Sequence, residues 1–377
     1  MLTDSRPRVL IADDQPDVLN ALRLLLREEA FDADTAASVQ EVRTKLAAST
    51  YDLLLMDLNY ARDTTSGGEG LELLGEVHQH DPLLPVVVMT GWGSIETAVE
   101  AMRRGARTFV HKPWENGALS STLRREVEHG RAARRAHRQE MREESEAQAI
   151  QRALLPALDT VLPRCDIAAR WTPAAAFGGD FCHVLQLGEE RVALWIGDVC
   201  GKGLPAALLM AHVQASLRAL AAEDLSVRTV AVRLNRQLAA NQELGRFVTL
   251  FYAVYDMARG QLAFTNAGHN PPVVARADGS VTRLTEGGTV LGMFEDAAYA
   301  EQVVDLRAGD RLTLFTDGLS DPDAGDDEFG DEHLVQAIVR RRSAPASEIA
   351  DEVLNEIASR HGGHLDDDAT IVVAAIR

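Results

Sequence analysis

The sequence predicts two domains of different class joined by a helical linker: an α/β domain with a doubly wound parallel sheet, then an α+β domain with antiparallel sheets. Three observations support this. The 377 residues exceed what one ordinary core accommodates. Strands alternate with helices up to about residue 127, but come in separate runs after about residue 163. The segment between is rich in Arg, Glu and Ala, which favour a helix. We therefore expect domains at 1–127 and 164–377, with a linker at 128–163.

Composition narrows the classes of function. A hydrophobic fraction of 46% with 25% charged residues is typical of a soluble globular protein. The net charge of -19 argues against nonspecific binding to nucleic acid or to anionic membranes. Three cysteines without CxxC spacing predict neither a disulfide framework nor a zinc site. There is no apolar signal region, and we expect no run that spans a bilayer, so the expected location is cytoplasmic.

Apolar strands alternate with amphipathic helices in the first domain. The predicted strands are 8–12, 52–56, 84–89 and 108–110. The predicted helices are 18–27, 70–79, 94–103 and 116–127. Such alternation implies a parallel sheet that is covered by helices on both faces. Functional groups of such sheets gather at the carboxyl ends of the strands.

Polar residues follow these strands directly: Asp13, Asp14, Asp57, Thr90 and Lys112. A lone aspartate at a strand end is usually a turn residue, but five such residues in order form a consistent pattern. Clustered carboxylates suit a hard divalent cation, and an aspartate beside that cation can accept a phosphoryl group. The pattern therefore indicates phosphoryl transfer.

With these residues the domain resembles the CheY-like receiver of two-component response regulators. The resemblance implies a five-stranded parallel sheet and a phosphodonor that is a histidine kinase or a phosphotransfer protein. It implies that Asp57 accepts the phosphoryl group, whose oxygens Thr90 and Lys112 contact. It also implies a Mg²⁺ ion held by Asp13, Asp14, Asp57 and the backbone carbonyl of Asn59.

The linker has the composition of one long helix, since 126–150 contains no proline and one glycine. Apolar residues fit heptad positions at Ala133, Ala136, Ala147, Ile150 and Leu154. Glu140 and Glu143 interrupt this pattern. Two interpretations stay open: a solvated helical spacer, or a coiled-coil signalling helix that pairs two chains. The second interpretation predicts a homodimer through the linker.

Strands and helices are clustered in the second domain. The predicted strands are 166–171, 181–187, 192–196, 248–255, 261–266, 272–276, 302–305, 311–316 and 369–375. The predicted helices are 205–221, 226–241, 331–341 and 346–360. Clustering of this kind indicates antiparallel sheets with helices outside them.

Aspartates again adjoin the apolar strands of this domain, at Asp180, Asp198, Asp317 and the run 366–368. Each alone is as compatible with a helix or turn cap as with a metal ligand. Together they suit hard divalent cations. Two ions bridged by an aspartate lower the pKa of a shared water molecule, which can then attack phosphorus. No Ser-His-Asp grouping or P-loop competes with this interpretation.

The second domain resembles the PPM family, the metal-dependent type 2C Ser/Thr phosphatases, and within it the bacterial branch that acts on anti-sigma-factor antagonists and in sporulation. The matching motifs include Gly-Gly-Asp-Phe, Gly-Asp-Val-Cys-Gly-Lys-Gly-Leu-Pro, Asn-Ala-Gly-His-Asn-Pro-Pro, Phe-Thr-Asp-Gly and Asp-Asp-Ala-Thr. The resemblance implies two antiparallel sheets between helices and two Mn²⁺ or Mg²⁺ ions. It implies that Asp198 bridges the ions and Val199 offers its carbonyl. Asp317 and Asp367 would bind the second ion, and Asp180 would orient the metal-bound water.

Three features leave questions open. Cys182-His183 stands where the family often has Tyr-Asp. The acidic segment 321–332 is either a solvated loop or a flap that excludes acidic partners or binds a further cation. For His269 we expect a structural role in a turn and no role as a proton donor.

The expected function is dephosphorylation of phosphoserine or phosphothreonine on a partner protein, controlled by phosphorylation of Asp57. The resemblance alone implies a STAS-type anti-sigma-factor antagonist as substrate. The alternative is a catalytically silent adaptor that binds a client protein. Loss of metal carboxylates marks such adaptors, whereas all four aspartates are present here. A transcription factor is disfavoured by the acidic charge and by the absence of a helix-turn-helix pattern.

Overall fold

The computed structural model describes residues 6–58, 68–91, 95–156, 159–240, 245–320, 331–360 and 367–377. Asn59 and most of the acidic segment, 321–330, lie outside the described residues. The chain divides into two compact units, Met1–Glu143 and Glu144–Arg377. Each unit has hydrophobic clusters of its own.

The first unit is built on a five-stranded sheet with the order β2-β1-β3-β4-β5, and every strand pair is parallel. Its strands are β1 (Arg8–Ala12), β2 (Asp32–Ala36), β3 (Leu53–Asp57), β4 (Val86–Thr90) and β5 (Thr108–His111). Its helices are α1 (Pro16–Glu28), α2 (Val39–Ala48), α3 (Gly68–His80), α4 (Ile95–Arg103) and α5 (Asn116–Leu154). One hydrophobic cluster lies on each face of the sheet. The predicted doubly wound fold is therefore confirmed.

Strand β2 and helix α2 are absent from the predicted elements. The strand reads Asp-Ala-Asp-Thr-Ala and pairs with β1 alone, so only part of it faces a core. Ala33 and Ala36 are buried, while Asp32 is exposed. An edge strand of this kind lacks the apolar run that signals a buried parallel strand.

Helix α5 does not end near residue 127, where the sequence placed the end of the first domain. It continues without a break to Leu154. Gly130 does not interrupt it, because the helix approaches another segment closely there: a Cβ at Gly130 would lie 2.5 Å from Cγ of Pro85. The predicted linker helix is thus an extension of the last helix of the first unit.

The second unit has twelve described strands and four described helices. The strands are β6 (Asp159–Leu162), β7 (Cys165–Thr172), β8 (Phe181–Gln186), β9 (Arg191–Val199), β10 (Val248–Asp256), β11 (Gln261–Ala267), β12 (Val273–Ala275), β13 (Val281–Arg283), β14 (Gly287–Gly288), β15 (Gln302–Asp305), β16 (Arg311–Phe315) and β17 (Ala369–Ile376). The helices are α6 (Leu204–Ala221), α7 (Val227–Ala239), α8 (Glu332–Arg340) and α9 (Ala346–Arg360).

These strands form two sheets that face each other. The first has the order β14-β11-β10-β9-β8, with β15 also on β11, and the second has the order β13-β12-β16-β17-β7-β6. Side chains from both sheets form the central core. Helices α6 and α7 cover the first sheet, and α8 and α9 cover the second. The predicted antiparallel sheets between helices are confirmed, except that the two-residue strand β14 pairs parallel to β11.

Strand β9 runs through Asp198 and Val199 instead of ending at Ile196. Strand β10 pairs with its whole length and places Thr249 opposite Asp198. The N-cap of α6 is Gly203, with φ +78°. Asp198 therefore does not cap that helix, and its side chain is available for another role.

Helix α6 is long and apolar enough to cross a membrane by length and composition, contrary to the expectation from the sequence. Several of its residues, among them Met210, Val213 and Leu217, are buried in the cluster that joins α6 to the first sheet of the second unit. A core helix meets the same criteria of length and composition.

Candidate active sites

The first site lies at the carboxyl ends of β1, β3, β4 and β5. Asp13 and Asp57 are buried, Asp14 is half-buried, and ligand oxygens of the three carboxylates lie within 4.8 Å of one another. Thr90, the last residue of β4, is also buried. The fold therefore brings these four predicted residues to one edge of the sheet.

Lys112 links two of these carboxylates. Its Nζ donates to Oδ2 of Asp13 at 2.6 Å and to Oδ2 of Asp57 at 2.7 Å. Burial alone would lower the pKa of Lys112, but the hydrogen bonds to both carboxylates outweigh burial and raise it. This ammonium group therefore stays charged and offsets part of the negative charge of the site.

The second site begins with Asp180, just before β8. This side chain is 1% exposed, and its Oδ2 accepts hydrogen bonds from the hydroxyls of Thr316 (2.7 Å) and Thr370 (2.6 Å). Burial and the nearby charge of Asp198 raise the pKa of Asp180 well above its ordinary value. Neither threonine was singled out from the sequence, although each belongs to a quoted motif that also contains an aspartate.

Asp198 lies at the centre of the second site, near the end of β9. Burial raises its pKa to about 7, and the charges of Asp317, Asp367 and Asp368 add to this effect. Its backbone N–H donates to Oγ1 of Thr249 at 3.2 Å, which holds this end of the strand in place. Four carboxylates thus influence one another at the ends of different strands.

Gly179 makes room for this cluster. A Cβ at this position would lie 2.8 Å from the carbonyl oxygen of Val199 and 2.9 Å from Oδ1 of Asp198. Asp368 holds the loop before it, because its carboxylate accepts from the backbone N–H groups of Ala174 (2.9 Å) and Gly179 (2.7 Å). Only glycine permits these two oxygens to face the loop so closely.

The remaining acidic residues, Asp317 and Asp367, lie at the outer edge of the second site, which we call its rim. Asp317 opens a 3₁₀ turn, Asp317–Leu319, and burial together with the charge of Asp367 raises its pKa. The side chain of Asp367 is half exposed, and its Oδ2 lies 3.2 Å from Nζ of Lys202. Gly318 packs directly against the Asp368 carbonyl, which brings the two acidic turns together.

His269 is buried in the Asn-Ala-Gly-His turn and does not face the solvent. Asn266 clamps the turn, donating to the His269 carbonyl (2.9 Å) and accepting from the His269 N–H (2.8 Å). The His269 Nδ1 is 2.9 Å from Oγ1 of Thr249, and burial lowers the pKa of the ring to about 4. A neutral, buried ring agrees with the expected structural role.

The unusual Cys182-His183 pair does not enter the carboxylate cluster. Cys182 is buried in the core between the two sheets, and burial raises its pKa to about 12. The ring of His183 lies 4.8 Å from that of Trp195, and burial and the charge of Arg218 lower its pKa to about 4. The pair serves packing.

The C-terminal end of α5 contacts the loop that precedes Asp180. The Gln151 side chain donates to the Gly178 carbonyl at 2.7 Å. Arg218 of α6 donates to the Leu154 carbonyl at 2.8 Å. These contacts lie within the second unit and join the end of this helix to the loop before β8 and to α6. No pattern in the sequence distinguishes Gln151 from its neighbours on the helix.

Both sites fit divalent cations by the chemistry of their donors. Clustered carboxylates and backbone carbonyls are the ligands of Mg²⁺ and Mn²⁺. In the second site, burial and then the charges of neighbouring carboxylates raise the pKa of Asp198, and bound cations would offset both effects. A side chain at Gly179 would crowd the Val199 carbonyl. This arrangement of strand-end carboxylates on two facing sheets defines a phosphatase domain of the PP2C type.

Comparison with known proteins agrees with this class. Residues 188–377 match the family Stage II sporulation protein E (SpoIIE), and residues 9–124 match the response regulator receiver domain. The chain is 30% identical over 241 residues to phosphoserine phosphatase RsbU of Bacillus subtilis, covering 63% of this chain and 72% of RsbU. It is 29% identical to protein IcfG of Synechocystis, covering 60% of this chain but only 40% of IcfG.

Two solved structures share the fold of the second unit. The RsbU and RsbW domains of Rv1364c from Mycobacterium tuberculosis match with a TM-score of 0.51 and 26% identity, covering 59% of this chain and 63% of that one. The SiaA-PP2C domain of Pseudomonas aeruginosa matches with a TM-score of 0.55 and 22% identity, covering 64% and 99%. The chain belongs to the SpoIIE family and carries a receiver domain before the phosphatase domain.

Proposed function

We propose that this protein removes phosphate from phosphoserine or phosphothreonine on a partner protein, with metal ions held by the second site. Asp198 would bridge two Mn²⁺ or Mg²⁺ ions, with the Val199 carbonyl as a further ligand and with Asp317 and Asp367 on the second ion. When bound, the ions supply charge neutralisation and activation of a water molecule. Asp180 would orient that water, because its hydrogen bonds to two threonines fix its carboxylate.

The observation that carries this proposal is the convergence of Asp180, Asp198, Asp317 and Asp367 from separate strand ends. Burial and mutual repulsion of these charges would destabilise the fold unless something compensates for them, and together they raise the pKa of Asp198 to about 7. Divalent cations are the compensation that such a donor set favours. A phosphatase-like adaptor has no need to keep this arrangement.

The receiver would control this activity. Asp57 would accept a phosphoryl group from a histidine kinase or phosphotransfer protein, with Thr90 and Lys112 contacting its oxygens. A Mg²⁺ ion would bind Asp13, Asp14, Asp57 and the Asn59 carbonyl. The proximity of the three carboxylates to one another supports this set. Asn59 itself is supported by the resemblance alone.

The relatives support a phosphorylated protein as substrate, and the linker helix supports a second copy of this chain as partner. RsbU and RsbP of Bacillus subtilis are named phosphoserine phosphatases. These names support a phosphoserine protein as substrate, and the resemblance of the second domain adds a STAS-type anti-sigma-factor antagonist in the cytoplasm as the proposed substrate. Ala133, Ala136 and Ile150 of the linker helix are exposed, Ile150 by 65%, which supports pairing of two chains through this helix. Nucleic acid and membranes are not proposed partners.

The test is Mn²⁺-dependent phosphate release by the full chain from p-nitrophenyl phosphate and from a phosphoserine antagonist protein. Asp198→Asn should lower kcat/KM by roughly a thousandfold, since it removes the bridging ligand. Asp57→Asn should leave the chemistry intact but abolish any response to a phosphodonor. Activity that survives Asp198→Asn would contradict the metal assignment.

The same assay decides between enzyme and adaptor. A wild-type chain that releases no phosphate, with or without receiver phosphorylation, but still binds the antagonist would favour the adaptor. Analytical ultracentrifugation of the wild type and of Ile150→Glu tests the linker pairing, because a charge on an apolar seam should dissociate the dimer.

A further inference from the structure

We propose that Arg246 binds the phosphoryl group of the substrate. This inference rests on the proposed phosphatase activity and names the residue that would recognise the anion. Arg246 lies directly before β10, the strand that pairs with β9. Its guanidinium therefore stands beside the turn that follows Asp198 and Val199.

Two contacts join Arg246 and its neighbour to that turn. The backbone N–H of Cys200 donates to the Phe247 carbonyl at 3.0 Å. The Nη1 of Arg246 donates to the Cys200 carbonyl at 2.8 Å. The backbone of Cys200 is thus held on both sides, and the guanidinium is fixed by one of its nitrogens.

Gly201 makes this position of the guanidinium possible. Its φ is +106°, and a Cβ at this residue would collide with Nη1 of Arg246. Gly179 faces both this turn and Asp198. A Cβ built at Gly179 would lie 3.5 Å from the carbonyl oxygen of Gly201 and 2.9 Å from Oδ1 of Asp198. The Gly201 carbonyl and the Asp198 carboxylate therefore both face Gly179, while the guanidinium of Arg246 lies against Gly201.

The guanidinium keeps donors available for a ligand. Within the described part of the chain, the Cys200 carbonyl is the only hydrogen-bond acceptor of Arg246, and no carboxylate pairs with it. This is notable in a region where Lys202 does contact Asp367. The guanidinium of this half-buried arginine has one nitrogen fixed by a backbone carbonyl, and the further donors of its planar fork match the oxygens of a phosphoryl group.

The negative charge of the second site also favours a phosphate-binding cation at this position. The second site brings together the carboxylates of Asp180, Asp198, Asp317, Asp367 and Asp368. A phosphate monoester carries up to two negative charges near neutral pH. A cation beside the carboxylate cluster would favour entry of this anion, and arginine stays charged throughout the pH range of the assay.

The experiment separates anion binding from a merely structural clamp on Cys200. Arg246→Gln keeps an N–H donor for the Cys200 carbonyl but removes the charge and the fork, whereas Arg246→Lys keeps a donor and the charge. Arg233→Gln is the matched control, because Arg233 lies on α7 and its exposed ion pair with Glu223 is broken by the same change of residue type. For the Mn²⁺-loaded full chain, KM and kcat are measured with p-nitrophenyl phosphate and a phosphoserine peptide. Calorimetry measures the Kd values of inorganic phosphate and of Mn²⁺.

We expect Arg246→Gln to raise KM for both substrates and the Kd of inorganic phosphate by about tenfold or more, as loss of a charge-assisted hydrogen bond predicts. kcat and the Kd of Mn²⁺ should change little, Arg246→Lys should be intermediate, and Arg233→Gln should match the wild type.

The proposal is overturned if phosphate binds Arg246→Gln as tightly as the wild type, if KM rises for the peptide alone, or if weaker Mn²⁺ binding accounts for the loss. A wild-type chain without activity would instead contradict the proposed phosphatase function.

Discussion

The two carboxylate clusters of this protein differ in how their negative charge is compensated. In the receiver, the ammonium of Lys112 is hydrogen-bonded to two buried carboxylates, and its side chain is only 19% exposed. In the phosphatase domain, Lys202 pairs with Asp367 at the edge of the site, and both side chains are at least half exposed. Burial raises the pKa values of Asp180 and Asp198 there, and the charges of neighbouring carboxylates raise them further.

This difference implies that the two sites depend on cations to different degrees. The receiver cluster is partly neutralised by its own lysine, and we propose that it holds one ion beside the proposed phosphoacceptor Asp57. The phosphatase cluster carries more uncompensated charge, so that cation binding and folding should be coupled there. Four predictions test this contrast.

The largest expected effect is stabilisation by metal. At a free-ion concentration about a hundredfold above Kd, each bound ion adds about 2.7 kcal/mol to the free energy of unfolding. Two ions should therefore stabilise the phosphatase domain by roughly 5 kcal/mol, and one ion should stabilise the receiver by about half of that. Hydrogen exchange of β9 and β3, measured with Mn²⁺ and with EDTA, reports on each domain. Asp198→Asn is the control and should remove most of the gain in β9 but none in β3. If Mn²⁺ protected β9 and β3 equally, the two sites would not differ in their dependence on cations.

The two lysines should differ in their contribution to stability. Lys112→Met leaves buried carboxylates without their partner and should lower the free energy of unfolding of the receiver by about 3 kcal/mol in EDTA. Lys202→Met removes an exposed pair and should cost about 0–1 kcal/mol. Hydrogen exchange in the affected domain measures both. A larger loss from Lys202→Met would mean that the rim lysine neutralises the inner carboxylates.

Gly179→Ala should weaken the phosphatase site by steric conflict. The added methyl group would press on the Val199 carbonyl and on Asp198, and overpacking of this kind costs about 1–3 kcal/mol. We expect weaker Mn²⁺ binding in calorimetry, by about tenfold. Gly75→Ala in α3 is the matched control, since a Cβ there meets no atom within 4 Å and a helical alanine is favoured. Unchanged Mn²⁺ affinity of Gly179→Ala would contradict the assignment of this loop.

The smallest effect is a pH dependence from His269. Its pKa in the folded state is about 4, below its ordinary value of 6.5. Between these values the unfolded chain binds the proton and the folded chain does not, so the stabilisation present above pH 6.5 is lost as the pH falls. The loss is at most about 1.4 kcal/mol per pH unit. Asp198 acts in the opposite direction, because its pKa is raised on folding.

The difference between wild type and His269→Gln isolates the histidine from these carboxylates. In EDTA, the stability advantage of the wild type, measured by hydrogen exchange of β10, should shrink between pH 7 and pH 5. A constant difference would show that folding leaves the pKa of His269 unchanged.

The sequence predicted most strands because they are apolar runs that end at turns or acids. It failed at β2 and at the short strands β6, β13 and β14. Those segments are short or lie at sheet edges, so pairing with a neighbour decides their structure more than composition does. The end of β9 shows the same limit: pairing with β10 extends the strand to Val199, three residues beyond its apolar run.

The sequence by itself determined the fold classes and the residue types of both clusters. Local periodicity specifies strands and helices, and acids placed after strands must gather at sheet ends. Only the tertiary structure decided which groups compensate them. Thr316 and Thr370 reach Asp180 across 136 and 190 residues, and Arg246 reaches Cys200 across 46. The threonine contacts depend on how the two sheets pack, and the arginine contact depends on the pairing of β9 with β10. No local pattern encodes either of them.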